Sequence, residues 1–169
     1  MVWLFSSLKT NNSRRIHQER NIMIIFSPQN FINWANMLVQ FPWPIQLGDF
    51  VPYAEQLGWK PTSLPDEFSV RDDEHVTLGD DEAGSICELF LHMASNETED
   101  AEGAAELNDH LVSCVAAGKK AWGEPFLLEA GDGPGVTWRF PGDMFARVAS
   151  GRWSVLFRFF TPQGKYQFV

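Results

Sequence analysis

Apolar residues recur at helical spacing through Phe31, Trp34, Ala35 and Leu38, which predicts a first helix. Ser27-Pro28 opens it, with a hydroxyl able to cap and a proline where no N–H is missed. Phe41-Pro42-Trp43-Pro44 ends it, because proline disfavours the helical conformation of the residue before it. A short second helix is expected behind Asp49 as its cap, with Pro52 tolerated in the first turn. Gly58 suits the left-handed position that closes a helix, and Trp59 is placed to fold back onto it.

The pattern then switches to period two. Phe68–Arg71 and His75–Leu78 read as short strands on either side of an acidic turn, Asp72-Asp73-Glu74. A second acidic turn follows at Asp80-Asp81-Glu82-Ala83-Gly84. Ile86–Ala94 alternates strictly: Cys87, Leu89, Leu91 and Met93 form the expected core face, and Ile86, Glu88, Phe90 and His92 the opposite one.

Helical spacing returns in Ala104, Leu107, Leu111, Val115 and Trp122, the apolar stripe of one long helix. Asn96 with Glu99 three residues on reads as a capping box. Glu97, Glu99, Asp100 and Glu102 suit the positive end of the helix dipole, and Lys119 and Lys120 the negative end. Gly123 and Pro125 stop it. Beyond lies a meander over Val136–Phe140, Met144–Ala149, Trp153–Phe160 and Tyr166–Val169, punctuated by Pro141-Gly142, Ser150-Gly151 and Pro162-Gln163-Gly164. Connections this short exclude parallel crossovers. The expected fold is α+β: an antiparallel sheet of about five to seven strands, packed by one long helix, with two short N-terminal helices.

Charge changes the picture. Between Asp66 and Glu106 there are 14 acidic residues and one basic residue, Arg71. Residues 1–22 sum to +3, so the remainder carries −12 of a net −9. The first 22 residues also lack periodicity, so they read as a flexible extension ahead of a single domain, 23–169, with Met23 as a candidate start. An acidic body disfavours nucleic acid and anionic membranes, whose binding needs cations against phosphate. Acidity also serves plain solubility. No apolar run reaches the ~18 residues of a membrane span, and the apolar start lacks the order of a signal peptide. A cytoplasmic protein is expected.

Candidate chemistry is sparse. No Gly-x-Ser-x-Gly elbow occurs, and Cys87 and His92 fall on opposite faces of one strand. Cys87 and Cys114 fit no disulfide framework or metal spacing. His75, His92 and His110 would have to converge from distant segments to hold a metal, and a glycosidase-like carboxylate pair has no distinguishing spacing. Gly131-Asp132-Gly133-Pro134-Gly135 has the glycines of a phosphate loop without its Lys-Ser/Thr. Arg139, Arg147, Arg152, Arg158 and Lys165 form a late basic set, expected to pair within the chain with the acidic belt, Arg139 and Arg158 meeting carboxylates of the long helix or the loops. No catalytic residue, metal or cofactor is expected.

Three landmarks carry a resemblance: Leu57-Gly58-Trp59, Trp122-Gly123-Glu124-Pro125 and Val136-Thr137-Trp138-Arg139. Their order, over roughly Phe50 to Phe160, resembles small bacterial α+β families found near polymorphic toxin genes and treated as immunity proteins. The resemblance implies a non-enzymatic inhibitor that binds a cognate toxin, and it supplies no site residue. The acidic belt points to a basic toxin domain as partner. Six loop carboxylates have no structural duty evident in the sequence and are the candidate contacts: Asp72, Asp73, Glu74, Asp80, Asp81 and Glu82. A chaperone-like adaptor for a secreted protein is the alternative, and an enzyme assembled from distant carboxylates and histidines the third reading.

Overall fold

The computed structural model describes residues 22–97, 100–131 and 133–168. The expected extension over 1–22 lies outside them except for Ile22, which opens the first strand, β1 (Ile22–Ile24). Two helices follow, α1 (Pro28–Leu38) and α2 (Val51–Gln56). Strands β2 (Lys60–Pro61), β3 (Glu67–Arg71), β4 (Glu74–Asp80) and β5 (Ile86–Asn96) lead to the long helix α3 (Ala101–Trp122). The chain closes with β6 (Leu127–Glu129), β7 (Gly135–Phe140), β8 (Met144–Ser150), β9 (Ser154–Phe160) and a 3-10 helix, Pro162–Gln167.

All the described strands join one antiparallel sheet in the order β2-β3-β4-β5-β9-β8-β7-β6, with β1 added to β5. That makes nine strands rather than five to seven. The three the sequence does not announce, β1, β2 and β6, have two or three residues each and form on the edges of strands already in place. Of the expected fourth meander strand, Tyr166–Val169, Val169 lies outside the described residues and Tyr166–Phe168 form no strand. The chain turns instead at Thr161, whose hydroxyl caps the 3-10 helix at Gln163 and donates to the Ile86 carbonyl at 2.6 Å.

One sheet face is covered by α1 and α3, with the core between. Phe31, Trp34, Ala35 and Leu38 of α1 are buried, as their spacing predicts. Phe31 packs against Trp122, Trp138 and Phe157, and Trp34 against Phe26 and Trp59. The closure of α2 is also as expected: Gly58 has φ +79°, and the Trp59 N–H returns to the Ala54 carbonyl at 2.9 Å. Its cap is Phe50, because Asp49 ends a preceding 3-10 turn.

Two bulges in β5 break the simple alternation. The register slips between Gly79 and Asp80 opposite Cys87, and again between His92 and Ala94. Each bulge adds a residue to one strand, so side chains change face beyond it. Ile86 therefore joins the main core and Cys87 leaves it, the reverse of the expected assignment. Past the second bulge, Asn96 is a buried strand residue and not the cap of α3. Asp100 takes that role, accepting from the Gly103 N–H at 2.6 Å. Glu99, the expected capping partner, lies outside the described residues.

The buried stripe of α3 is Gly103, Leu107, His110, Leu111, Cys114 and Gly118, while Ala104 is exposed. The stripe contains two glycines because the helix lies close on Asn96 and Trp138 there. Among the described residues, no helix is long and apolar enough to cross a membrane.

Candidate functional site

Strand β4 separates the two acidic turns. Glu74 and Asp80 stand at its two ends, about 20 Å apart at roughly 3.4 Å per residue. The six candidate carboxylates therefore do not form one patch. Asp72, Asp73 and Glu74 lie at the end of the sheet where β5 finishes and α3 begins, alongside Asp100 and Glu102. Asp80, Asp81 and Glu82 lie at the other end.

The two turns also differ in what their carboxylates do. Asp81 has a structural duty that the sequence did not reveal. Its Oδ1 accepts from the N–H groups of Ala83 and Ser85, each at 2.9 Å, and its own N–H donates to the Ser85 carbonyl. It builds the β4–β5 turn, an arrangement short polar side chains favour. At the other end, Asp72 and Asp73 are an exposed two-residue link, with Asp72 at φ +48°. Aspartate is among the few residues with a side chain that tolerate this region.

Glu74 sits opposite Arg71 in the β3–β4 register, where an ion pair would be expected. The Arg71 guanidinium turns elsewhere. It donates to the Ile25 carbonyl and lies over the Phe26 ring, 4.9 Å from the centroid. Glu74 thus makes no ion pair among the described residues. It lines a cleft of about 270 Å³ with Ile25, His92, Ser95, Trp153 and Ser154. Trp153 is 47% exposed, a large aromatic beside unpaired acid. The expected strand Trp153–Phe160 begins one residue too early: β9 starts at Ser154, and Trp153 belongs to the preceding turn. The signal was there: a large aromatic directly after Ser150-Gly151-Arg152, a turn sequence with no core face to serve. A second cleft of about 420 Å³ adjoins the first at Asn96 and is lined by Asp100, Asn108, Ser150 and Arg152.

The remaining candidate groups do not converge. His75 is 3.7 Å from Glu67, His92 is in the first cleft, and His110 is buried beside Cys114 at 3.8 Å. Among the described residues, no three His, Cys, Asp or Glu side chains are grouped to hold a metal ion. Burial pushes the Cys114 thiol up to about 12, so its neighbour His110 does not make it a thiolate. Burial also lowers the pKa of His110, against a smaller opposing pull from a hydrogen bond to the Phe26 backbone. Cys87 is raised, first by burial and then by the adjacent Glu88.

Arg139, Arg147 and Arg158 are each paired, none of them with the long helix or the two acidic turns. Arg158 pairs with Glu88 across β5–β9, and Arg147 with Glu129 on β6. Burial lowers the pKa of Arg147, and so does neighbouring Arg158. Arg139 and Lys165 meet Asp143 at 2.7 and 3.3 Å and hold its carboxyl below the usual range. Only Glu88 of these partners comes from the acidic belt.

Residues 29–161 match a family described as a family of unknown function, DUF6301. The chain belongs to this DUF6301 family. No curated protein and no solved structure matches it. The matched span runs from α1 to the end of β9, so it contains both acidic turns and both clefts apart from the wall at Ile25, while β1 and Ile25 precede it.

Proposed function

We propose that this DUF6301 protein is a cytoplasmic, non-enzymatic immunity protein that neutralises a basic toxin domain by binding it at the acidic end of the sheet. The observation that carries the reading is the juxtaposition of Asp72, Asp73 and Glu74, which has no ion pair among the described residues, with exposed Trp153. Unpaired carboxylates steer a cationic partner and select its orientation, and an exposed indole beside them supplies buried area once it docks. Asp80 and Glu82 are secondary contacts at most, because they lie at the far end of β4.

Co-expression with the product of the adjacent gene tests this reading. Growth should be restored and the two proteins should co-purify. Unprotected cells, or two proteins that elute separately, would remove it.

One observation favours the adaptor reading. Phe126, Leu127 and Leu128 are 48%, 37% and 67% exposed at the β6 edge. An apolar edge strand is a place for another chain to add. Light scattering on the purified protein separates the two: a stable dimer that captures a secreted substrate favours the adaptor, and a monomer without such capture favours the inhibitor.

A further inference from the structure

We infer that the cleft between the β3–β4 hairpin and the start of β9 is a subsite for one arginine side chain of the protein partner. The inference rests on the reading that this end of the sheet meets a basic partner, and it names the group that is recognised.

Arg71 is the residue opposite Glu74, and its guanidinium is committed to the Ile25 carbonyl and the Phe26 ring. The cleft therefore holds a carboxylate whose cross-strand cation is engaged elsewhere. Its other walls suit a guanidinium rather than a compact ammonium. Trp153 offers a large aromatic face, Ser95 and Ser154 offer hydroxyl acceptors, and about 270 Å³ admits a planar head group with part of its stem. Arginine stacks on an indole while its edge donates to a carboxylate, two contacts that lysine cannot make together with the same geometry. Charge at this end of the sheet is net negative, with Asp72, Asp73, Glu74, Asp100 and Glu102 against Arg71 and Arg152.

The test is an NMR titration of the full chain with the peptide acetyl-Gly-Arg-Gly-amide. The citrulline peptide, which keeps the shape without the charge, is the control. The Trp153 indole N–H, assigned by its loss in Trp153→Phe, should shift saturably with the arginine peptide together with the Glu74 and Ser154 amides. The citrulline peptide should bind at least about tenfold more weakly, the scale of one charge-assisted hydrogen bond. Glu74→Gln should produce a loss of the same size with the rest of the spectrum unchanged. Trp153→Leu keeps an apolar side chain without the aromatic face and should weaken binding several-fold.

Equal shifts from both peptides, no saturable shift at Trp153, or shifts centred on Asp80–Glu82 would overturn the subsite. So would full affinity in a folded Glu74→Gln. The two readings fail separately. Arginine binding in this cleft without protection from any adjacent toxin removes the inhibitor and keeps the subsite. Protection by Glu74→Gln and Trp153→Leu as good as that by the unchanged chain removes the subsite and keeps the inhibitor.

Discussion

Gly118 on α3 lies flat against the indole of Trp138 on β7, and a Cβ at this glycine would overlap the ring atoms Cζ2 and Cη2. The same indole donates its Nε1–H to the Gly123 carbonyl at 3.1 Å, so it fixes both the last turns of α3 and their distance from the sheet. Two effects oppose each other in Gly118→Ala. Helix propensity favours alanine by about 1 kcal/mol. Overpacking a rigid core contact costs about 1–3 kcal/mol. Trp138 is fully enclosed and has little room to retreat, so the second effect wins. Urea unfolding should show net destabilisation of about 1 kcal/mol or more, and a stabilised variant would show that the helix can lift from the sheet.

Glu88 and Arg158 pair diagonally across β5 and β9, with side chains only 20% and 30% exposed. Arg158 also lies over Phe160, 4.9 Å from its centroid. A pair this enclosed differs from an exposed one, because removing one partner leaves the other poorly solvated. Glu88→Gln should cost about 1–2 kcal/mol, and a double-mutant cycle with Arg158→Met should give a coupling of about 1 kcal/mol. A coupling near zero would assign the cost to packing of the arginine stem.

Burial holds the His110 pKa below its usual value. The unfolded state therefore binds a proton more readily than the folded state. Stability from this group is full above about pH 6.5, the unfolded value, and is lost as pH falls below it. Urea midpoints should decline from about pH 6.5 towards 5, before the carboxylates contribute. His110→Gln should flatten that limb, and an unchanged slope would place its origin elsewhere.

Cys87 and Cys114 are both buried, and burial raises both thiols, Cys114 to about 12. Neither should react with a thiol reagent in the folded protein at about pH 8, where an ordinary cysteine begins to ionise. Both should react once urea unfolds the chain. Rapid labelling of Cys114 in native buffer would mean that α3 opens locally.

What could be read from the sequence follows the range of the forces involved. The start of α1 at Ser27-Pro28, the closure of α2 at Gly58-Trp59 and the turns at Pro141-Gly142 and Ser150-Gly151 rest on neighbouring residues and stand in the structure, while Pro162-Gln163-Gly164 enters a 3-10 helix instead. The edge strand β1 depends on a partner far along the chain, whereas β2 and β6 pair with the next strand but are too short to show alternation. The cap of α3 was misplaced because Asn96 and Asp100 both precede acidic residues, and only the bulge near Met93, which turns Asn96 inward, decides between them. The candidate site was legible in part for the same reason. Sequence shows six acidic loop residues but not that Asp81 builds its turn, that Arg71 turns away from Glu74, or that Trp153 stands beside the cleft.

The separation of the two acidic turns by the length of β4 yields the last prediction. Both turns repel or attract a charged partner at long range, but only the one at the docking end remains close when the complex forms. Neutralising Asp72, Asp73 and Glu74 to their amides should slow association with a basic partner by about tenfold at low salt, with a smaller effect at high salt. Neutralising Asp80 and Glu82 should change the rate by less than about threefold, since they face away from the contact. Asp81 should be left intact in that comparison, because the hydrogen bonds its carboxylate accepts from the Ala83 and Ser85 N–H groups hold the β4–β5 turn, and its loss would confuse folding with binding. Stopped-flow association at two salt concentrations reads the difference directly. Equal effects from the two ends would mean that the acidic belt acts as a diffuse field, and a larger effect from Asp80 and Glu82 would move the docking surface to the opposite end of the sheet.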